Sequence, residues 1–238
     1  MSVADARSLP GVRGAWICLL LSSVCLLGAV ALTVAVAAGV TDPTDLVIDT
    51  AIHDAVRGHP LLLDLSRILR ITGGPVFVTI VSTSVVVLLL VTRRWGWAAY
   101  LAATALGGAL ISESVKTLIA RERPVWPDPY SLASGFSYPS GHSLAGITNW
   151  VVYGVIVLFL VPRSWARVVA VALMLWGVAM APSRLVLGVR WPADVVGGWL
   201  FGFGWVLAVS AVGLAVVIRS RAARAVGPDA PSPSRTAG

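Results

Sequence analysis

Apolar residues in this chain do not recur at a helical or strand period; they run on without interruption. Six such runs can be read, over residues 15–40, 74–92, 95–119, 142–161, 166–186 and 193–218. Each is about as long as the roughly 20 residues a helix needs to cross a hydrocarbon layer. In lipid a helix satisfies its own backbone, so the pattern predicts an all-α protein, a bundle of six transmembrane helices. Between the first two runs the pattern changes. Residues 41–72 interleave Asp42, Asp45, Asp49 and Asp54 with Leu46, Val47, Ile48, Ile52 and Val56. That mixture predicts an amphipathic helix on the outer surface, broken near Gly58-His59-Pro60 and followed by a second short helix. His53 and His59 fall here and are expected to be solvated or interfacial.

Composition agrees with this picture. With 57% hydrophobic and 12% charged residues and a mean hydropathy of +0.86, the chain is too apolar for a domain with a fully wetted surface. Cys18 and Cys25 both lie inside the first run and read as small apolar packing residues. Arginines precede that run and Ala35-Val36-Ala37 resembles a cleavage site. Its apolar core nevertheless far exceeds that of a signal peptide, so an uncleaved anchor is expected. Residues 1–14 are expected as a short disordered lead and 219–238, rich in Ala, Pro, Ser and Arg, as a disordered tail, with one membrane domain over 15–218 and no internal repeat.

The formal net charge of +7 is unevenly spread. An even number of spans puts both termini on one side. That side carries Arg7, Arg13, Arg93, Arg94, Arg163, Arg167, Arg219, Arg221, Arg224 and Arg235 against Asp5 and Asp229. The positive-inside bias then makes both termini cytoplasmic. The basic excess orients the protein and meets anionic lipid headgroups; it is not a nucleic-acid footprint.

The chemistry is concentrated on the opposite face, at four places. Glu113 and Lys116 sit in the last turns of the third span, where ionisable groups are costly and usually face a wet cavity. Arg123 follows Lys116 by seven residues and shares a face with it if the helix persists to Pro124. Next, Tyr138-Pro139-Ser140-Gly141-His142 opens the fourth span. Proline can start a helix, Ser-Gly leaves backbone donors bare at the positive end of the dipole, and His142 stands at the rim of that anion seat. Ser183-Arg184 lies near the end of the fifth span. Arg190-Trp191-Pro192-Ala193-Asp194 opens the sixth. Interfacial anchoring accounts for Trp126 and Trp191 and for one or two of the arginines. It does not account for Lys116, Arg123 and Arg184 recurring at one depth beside a bare helix start. Converging cations need a counter-charge, and phosphate oxygens match the forked guanidinium.

These residues resemble the signature of the type 2 phosphatidic acid phosphatases, kin to the vanadium haloperoxidases and glucose-6-phosphatase. Its three parts are K-x6-RP, PSGH and SR-x5-H-x3-D. Lys116 through Arg123-Pro124 matches the first, Pro139-Ser140-Gly141-His142 the second, and Ser183-Arg184 with Asp194 the third. The resemblance implies a helical core with an outward-facing pocket in which Lys116, Arg123, Ser140, Gly141 and Arg184 hold phosphate. It also implies that His142 protonates the leaving oxygen and that Asp194 orients a nucleophilic histidine. No metal or other cofactor is implied, since side chains supply the positive charge. The substrate would be a membrane lipid phosphate or diphosphate such as phosphatidate, undecaprenyl diphosphate or phosphatidylglycerol phosphate.

One position departs. Where the family has its nucleophilic histidine, this chain has Arg190, whose guanidinium keeps its proton and has no lone pair to attack with. Two readings follow. The chain is a lipid phosphatase that works through water, or through His142 or His59 standing in; alternatively, it is a weak or inactive relative that binds lipid phosphate, with Asp194 pairing Arg190 four residues away.

Overall fold

A computed structural model describes residues 10–225. Among these residues the chain forms nine helices: α1 (Pro10–Ala37), α2 (Asp42–Val56), α3 (Pro60–Thr72), α4 (Pro75–Val91), α5 (Trp95–Ile119), α6 (Gly141–Leu160), α7 (Ser164–Ala179), α8 (Pro182–Val186) and α9 (Pro192–Ala225). Five long apolar stretches can cross a membrane, those of α1, α5, α6, α7 with α8, and α9, and a sixth span results if α3 and α4, bent by 53° at Gly73-Gly74, are taken as one. The expected all-α architecture is therefore the one adopted, with five to six candidate spans. Proline starts most of the pieces, because its missing N–H falls among donors that a helix start leaves unpaired anyway. Pro43, Pro60, Pro75, Pro182 and Pro192 all occupy first-turn positions.

Several boundaries differ from expectation. The first helix starts at Pro10, and the last continues through Arg219 and Arg221 to Ala225. The rest of the expected lead and tail, 1–9 and 226–238, lies outside the described residues. The fifth span is broken at Met180-Ala181, where Pro182 opens α8, so Ser183-Arg184 sits on a separate short helix. The helix carrying Lys116 stops at Ile119. Ala120 turns left-handed at φ 48° and its N–H caps the Lys116 carbonyl, so Arg123 reaches the site from a loop rather than from the face it was expected to share.

Two cores hold the bundle. Leu89, Leu101, Ile147, Val152 and Val206 join α4, α5, α6 and α9, while Ala29, Val36, Tyr138, Leu144 and Phe201 join α1, the loop before α6, α6 and α9. Small residues allow the closest crossings. Gly146 and Gly177 put the backbones of α6 and α7 in contact, and α6 carries a π-helical stretch over Gly146–Val151 at that crossing. The outward faces of α1, α4, α5 and α7 expose Leu20, Leu27, Leu88, Leu110 and Val168, which suits an acyl-chain environment.

Candidate active site

The predicted residues meet at one end of the bundle, around a cavity of about 670 Å³. Lys116, Arg123, Gly141, His142, Arg184 and Arg190 all line it. Four helices and two loops contribute, which is why no local stretch of sequence contains the site.

The start of α6 is built as a cap. Ser140 is fully buried, its N–H donates to the Asp194 carbonyl (2.9 Å), and its Oγ accepts the Ser143 N–H (3.4 Å). The side chain expected to hold phosphate is thus engaged as the helix N-cap. Gly141 is packed closely: a Cβ there would lie 3.5 Å from Lys116 Nζ, so the ammonium stands against the positive end of α6. Lys116 itself is paired with Glu113 at 2.6 Å, and both face the cavity as their placement in the third span suggested. His142 Nε2 donates to the Arg70 carbonyl (3.0 Å), which leaves Nδ1 as the ring's acceptor. Gly73 makes room for that ring; a Cβ on it would come within 2.6 Å of His142 Cδ2.

The arginines divide into two kinds. Arg123 is occupied by backbone, donating to the carbonyls of Ser134, Gly135, Phe136 and Val189 at 2.8–3.2 Å, and so folds the two loops around the cavity. Burial lowers its pKa, partly offset by Asp194. Arg184 and Arg190 are different. Each is about 95% buried, yet Nε and Nη1 of Arg184 and Nε of Arg190 have no hydrogen-bond partner. Arg190 donates only from Nη1, to the Phe136 carbonyl at 3.2 Å. Burial, then repulsion from Arg123, pulls its pKa down to about 10 against the opposing pull of Asp194 and Glu113. It is still a cation at neutral pH. Unpaired buried donors are rare and expensive, and here they face a cavity.

The expected pairing of Arg190 with Asp194 is not made. Asp194 Oδ1 accepts from Arg121 Nη1 (3.0 Å) and Oδ2 from the Trp191 N–H (3.0 Å). Arg121 also reaches Asp42 and Asp45, each at 2.7 Å, and lies 5.5 Å from the centre of the Trp191 ring. Burial alone would lower its pKa, but Asp45, Asp194 and Asp42 together raise it. Arg121 falls among the unspecified positions between Lys116 and Arg123, so no motif marks it. The available signal was the Asp45-Asp49-His53 ladder, four residues apart on α2, a buried polar stripe that must have found a partner.

The two loop histidines also separate. His59 is exposed at the start of α3 and does not line the cavity. His53, expected to be solvated, is 2% exposed. It is stacked between Trp126 (4.1 Å) and Tyr130 (4.6 Å), with Nε2 on Asp128 (3.2 Å). Trp126 is therefore packed here rather than serving only as an interfacial anchor. Among the described residues no cluster of His, Cys, Asp or Glu is arranged to hold a metal ion.

The structure is a helical membrane bundle with a cationic pocket at the start of its fourth-span helix. The PAP2 superfamily profile matches residues 96–217, from α5 into α9, and the chain belongs to that superfamily. It is 32% identical to an undecaprenyl-diphosphatase of Sulfolobus acidocaldarius over 41% of this chain and 45% of that one. It is 35% identical to phosphatidylglycerophosphatase B of Escherichia coli over 34% of this chain and 30% of that one. The chain thus spans less than half the length of these relatives. In fold it is similar to the transmembrane PAP2-type phosphatidylglycerolphosphate phosphatase of Bacillus subtilis, with a TM-score of 0.67 at 24% identity, covering 83% of this chain and 96% of that one. The protein is an integral membrane protein of this superfamily.

Proposed function

We propose that this protein takes the phosphate or diphosphate head of a membrane lipid into the cavity lined by Lys116, Arg184 and Arg190 and hydrolyses it there, slowly because no histidine stands at position 190. The observation that carries this reading is the set of buried, unpartnered guanidinium donors on Arg184 and Arg190 beside the ammonium of Lys116. An anion with several oxygens is the group that would satisfy them together. The relatives named above support the reaction class.

The shape of the cavity supports a lipid. From the cations it continues between Val78, Ser82 and Val86 of α4 and Ala102, Ala105 and Ala109 of α5. Lys116 and Ala102 are separated by roughly 21 Å of helix at 1.5 Å per residue. A head group between the arginines would leave its tail in that trough. The arginine asymmetry along the chain supports a pocket facing outside with both termini cytoplasmic.

In this reading water, not a side chain, attacks phosphorus in line with the departing lipid oxygen. The new P–O bond forms as the P–O(lipid) bond breaks; His142 Nδ1, left free by the Nε2–Arg70 hydrogen bond, takes up a proton from solvent and delivers it to the departing lipid oxygen, and the attacking water gives its own proton back to solvent. His59 is excluded from the role by position. Arg190 contributes charge in place of a nucleophile, stabilising the developing charge on the equatorial oxygens. The second reading, binding with little turnover, is favoured by that same Arg190.

The test is phosphate release from phosphatidate, phosphatidylglycerol phosphate and undecaprenyl diphosphate by purified protein in detergent. We expect low but measurable turnover that His142→Ala abolishes, and an increase with Arg190→His. Calorimetry with orthovanadate should show binding that Arg184→Ala weakens by at least tenfold. Absence of vanadate binding would refute the pocket assignment. Binding without any release would leave the second reading standing.

A further inference from the structure

We propose that Arg121 is a positioning residue that withholds Asp194 from Arg190 and so keeps the Arg190 guanidinium open to an anion. The proposal rests on the pocket assignment above. Two arginines stand within electrostatic reach of one buried carboxylate. Asp194 is fully buried, and it acts as a charge on both Arg121 and Arg190. Arg190 precedes it by four residues, the spacing at which a helix start would ordinarily pair them. Were that pair made, Arg190 would be neutralised from within and would have little to offer a phosphate oxygen.

The geometry gives the carboxylate to Arg121 instead, for reasons outside this local stretch. Arg121 leaves the left-handed turn at Ala120 and is gripped from α2 by Asp42 and Asp45 at 2.7 Å each, so its guanidinium is already fixed when it meets Asp194. Asp45 uses its other oxygen to accept the Ala193 N–H at 2.8 Å, tying α2 to the first turn of α9. The remaining Asp194 oxygen caps the Trp191 N–H. Both oxygens are thus engaged away from the cavity. Arg190 is left with the Phe136 carbonyl alone and an orphaned Nε. An imidazole placed at position 190 would likewise have to share Asp194 with Arg121.

The proposal makes a prediction that a merely structural role for Arg121 does not. Orthovanadate affinity is measured by calorimetry on the full chain in detergent for wild type, Arg121→Gln, Asp194→Asn and the double variant. Arg121→Gln is expected to weaken binding by 10- to 100-fold, because Asp194 turns to Arg190. Adding Asp194→Asn is expected to restore affinity to within about threefold of the Asp194→Asn single variant, because the competing charge is gone. The same pair is made with Arg121→Lys, which keeps a cation between Asp42 and Asp45 but cannot span three carboxylates; a smaller loss with the same rescue is expected. Wild-type affinity in both Arg121 variants, or a double variant as weak as the single, overturns the proposal. No binding by wild type overturns the pocket assignment itself, and this proposal with it.

Discussion

Asp49 is buried completely, and neither of its oxygens has a partner. Burial, followed by repulsion from Asp45 one turn away and from Asp194, raises its pKa from 3.8 to about 7. In the unfolded chain the same carboxyl ionises near its ordinary value. Between about pH 4 and 7 the folded protein therefore holds a proton that the unfolded chain has released. The stability due to this group is present below that window and is lost as pH rises through it. Asp49→Asn keeps the shape and removes the ionisation. At pH 5 the variant should already show about a third of the full gain, since that pH lies a little over one unit into the window. At pH 8 it should be more stable, by a ceiling of roughly 4 kcal/mol from the pKa displacement and about half that once local relaxation is allowed. For a domain of this size that is on the order of 5–10 °C in Tm. The ten tryptophans make intrinsic fluorescence a direct reporter of unfolding in detergent. An Asn variant that gains nothing at pH 8 over pH 5, or loses more at pH 8, would refute the assignment of Asp49 as a proton-holding group.

Two further outcomes test the surroundings of the site. Gly73→Ala puts a methyl group 2.6 Å from His142 Cδ2 and 3.1 Å from Met180 Sδ. It should displace the imidazole and lower phosphate release at least tenfold while orthovanadate affinity, measured by calorimetry, stays within about threefold; equal loss of both would argue that Gly73 shapes the whole pocket. His53→Ala removes two ring stacks, each worth about 1 kcal/mol, together with the burial of the ring itself. The loop carrying Arg123 and Trp126 should loosen and Tm should fall by several degrees; an unchanged Tm would mean that the stack contributes nothing.

Hydropathy determined a good deal here. A run of about 20 apolar residues has few ways to satisfy its backbone in lipid, so the apolar spans and their helical character followed from the sequence. Several residues that line the cavity were also legible, since Lys116, Arg123, Arg184 and the Gly141-His142 helix start keep their spacing whatever the fold. What each cation does was not legible. Arg123 is consumed by loop carbonyls while Arg184 and Arg190 remain unpaired, and only the packing of four chain segments decides which.

The same holds for Asp194. Local spacing assigns it to Arg190, yet it belongs to Arg121, because α2 brings Asp42 and Asp45 to fix that guanidinium first. His53, too, reads as an interfacial residue until the loop from α5 to α6 folds Trp126 and Tyr130 over it. Backbone satisfaction and apolar transfer are properties of a segment, and a sequence displays them. The choice among competing partners for a buried charge depends on which groups are already held in place, and that is a property of the assembled bundle.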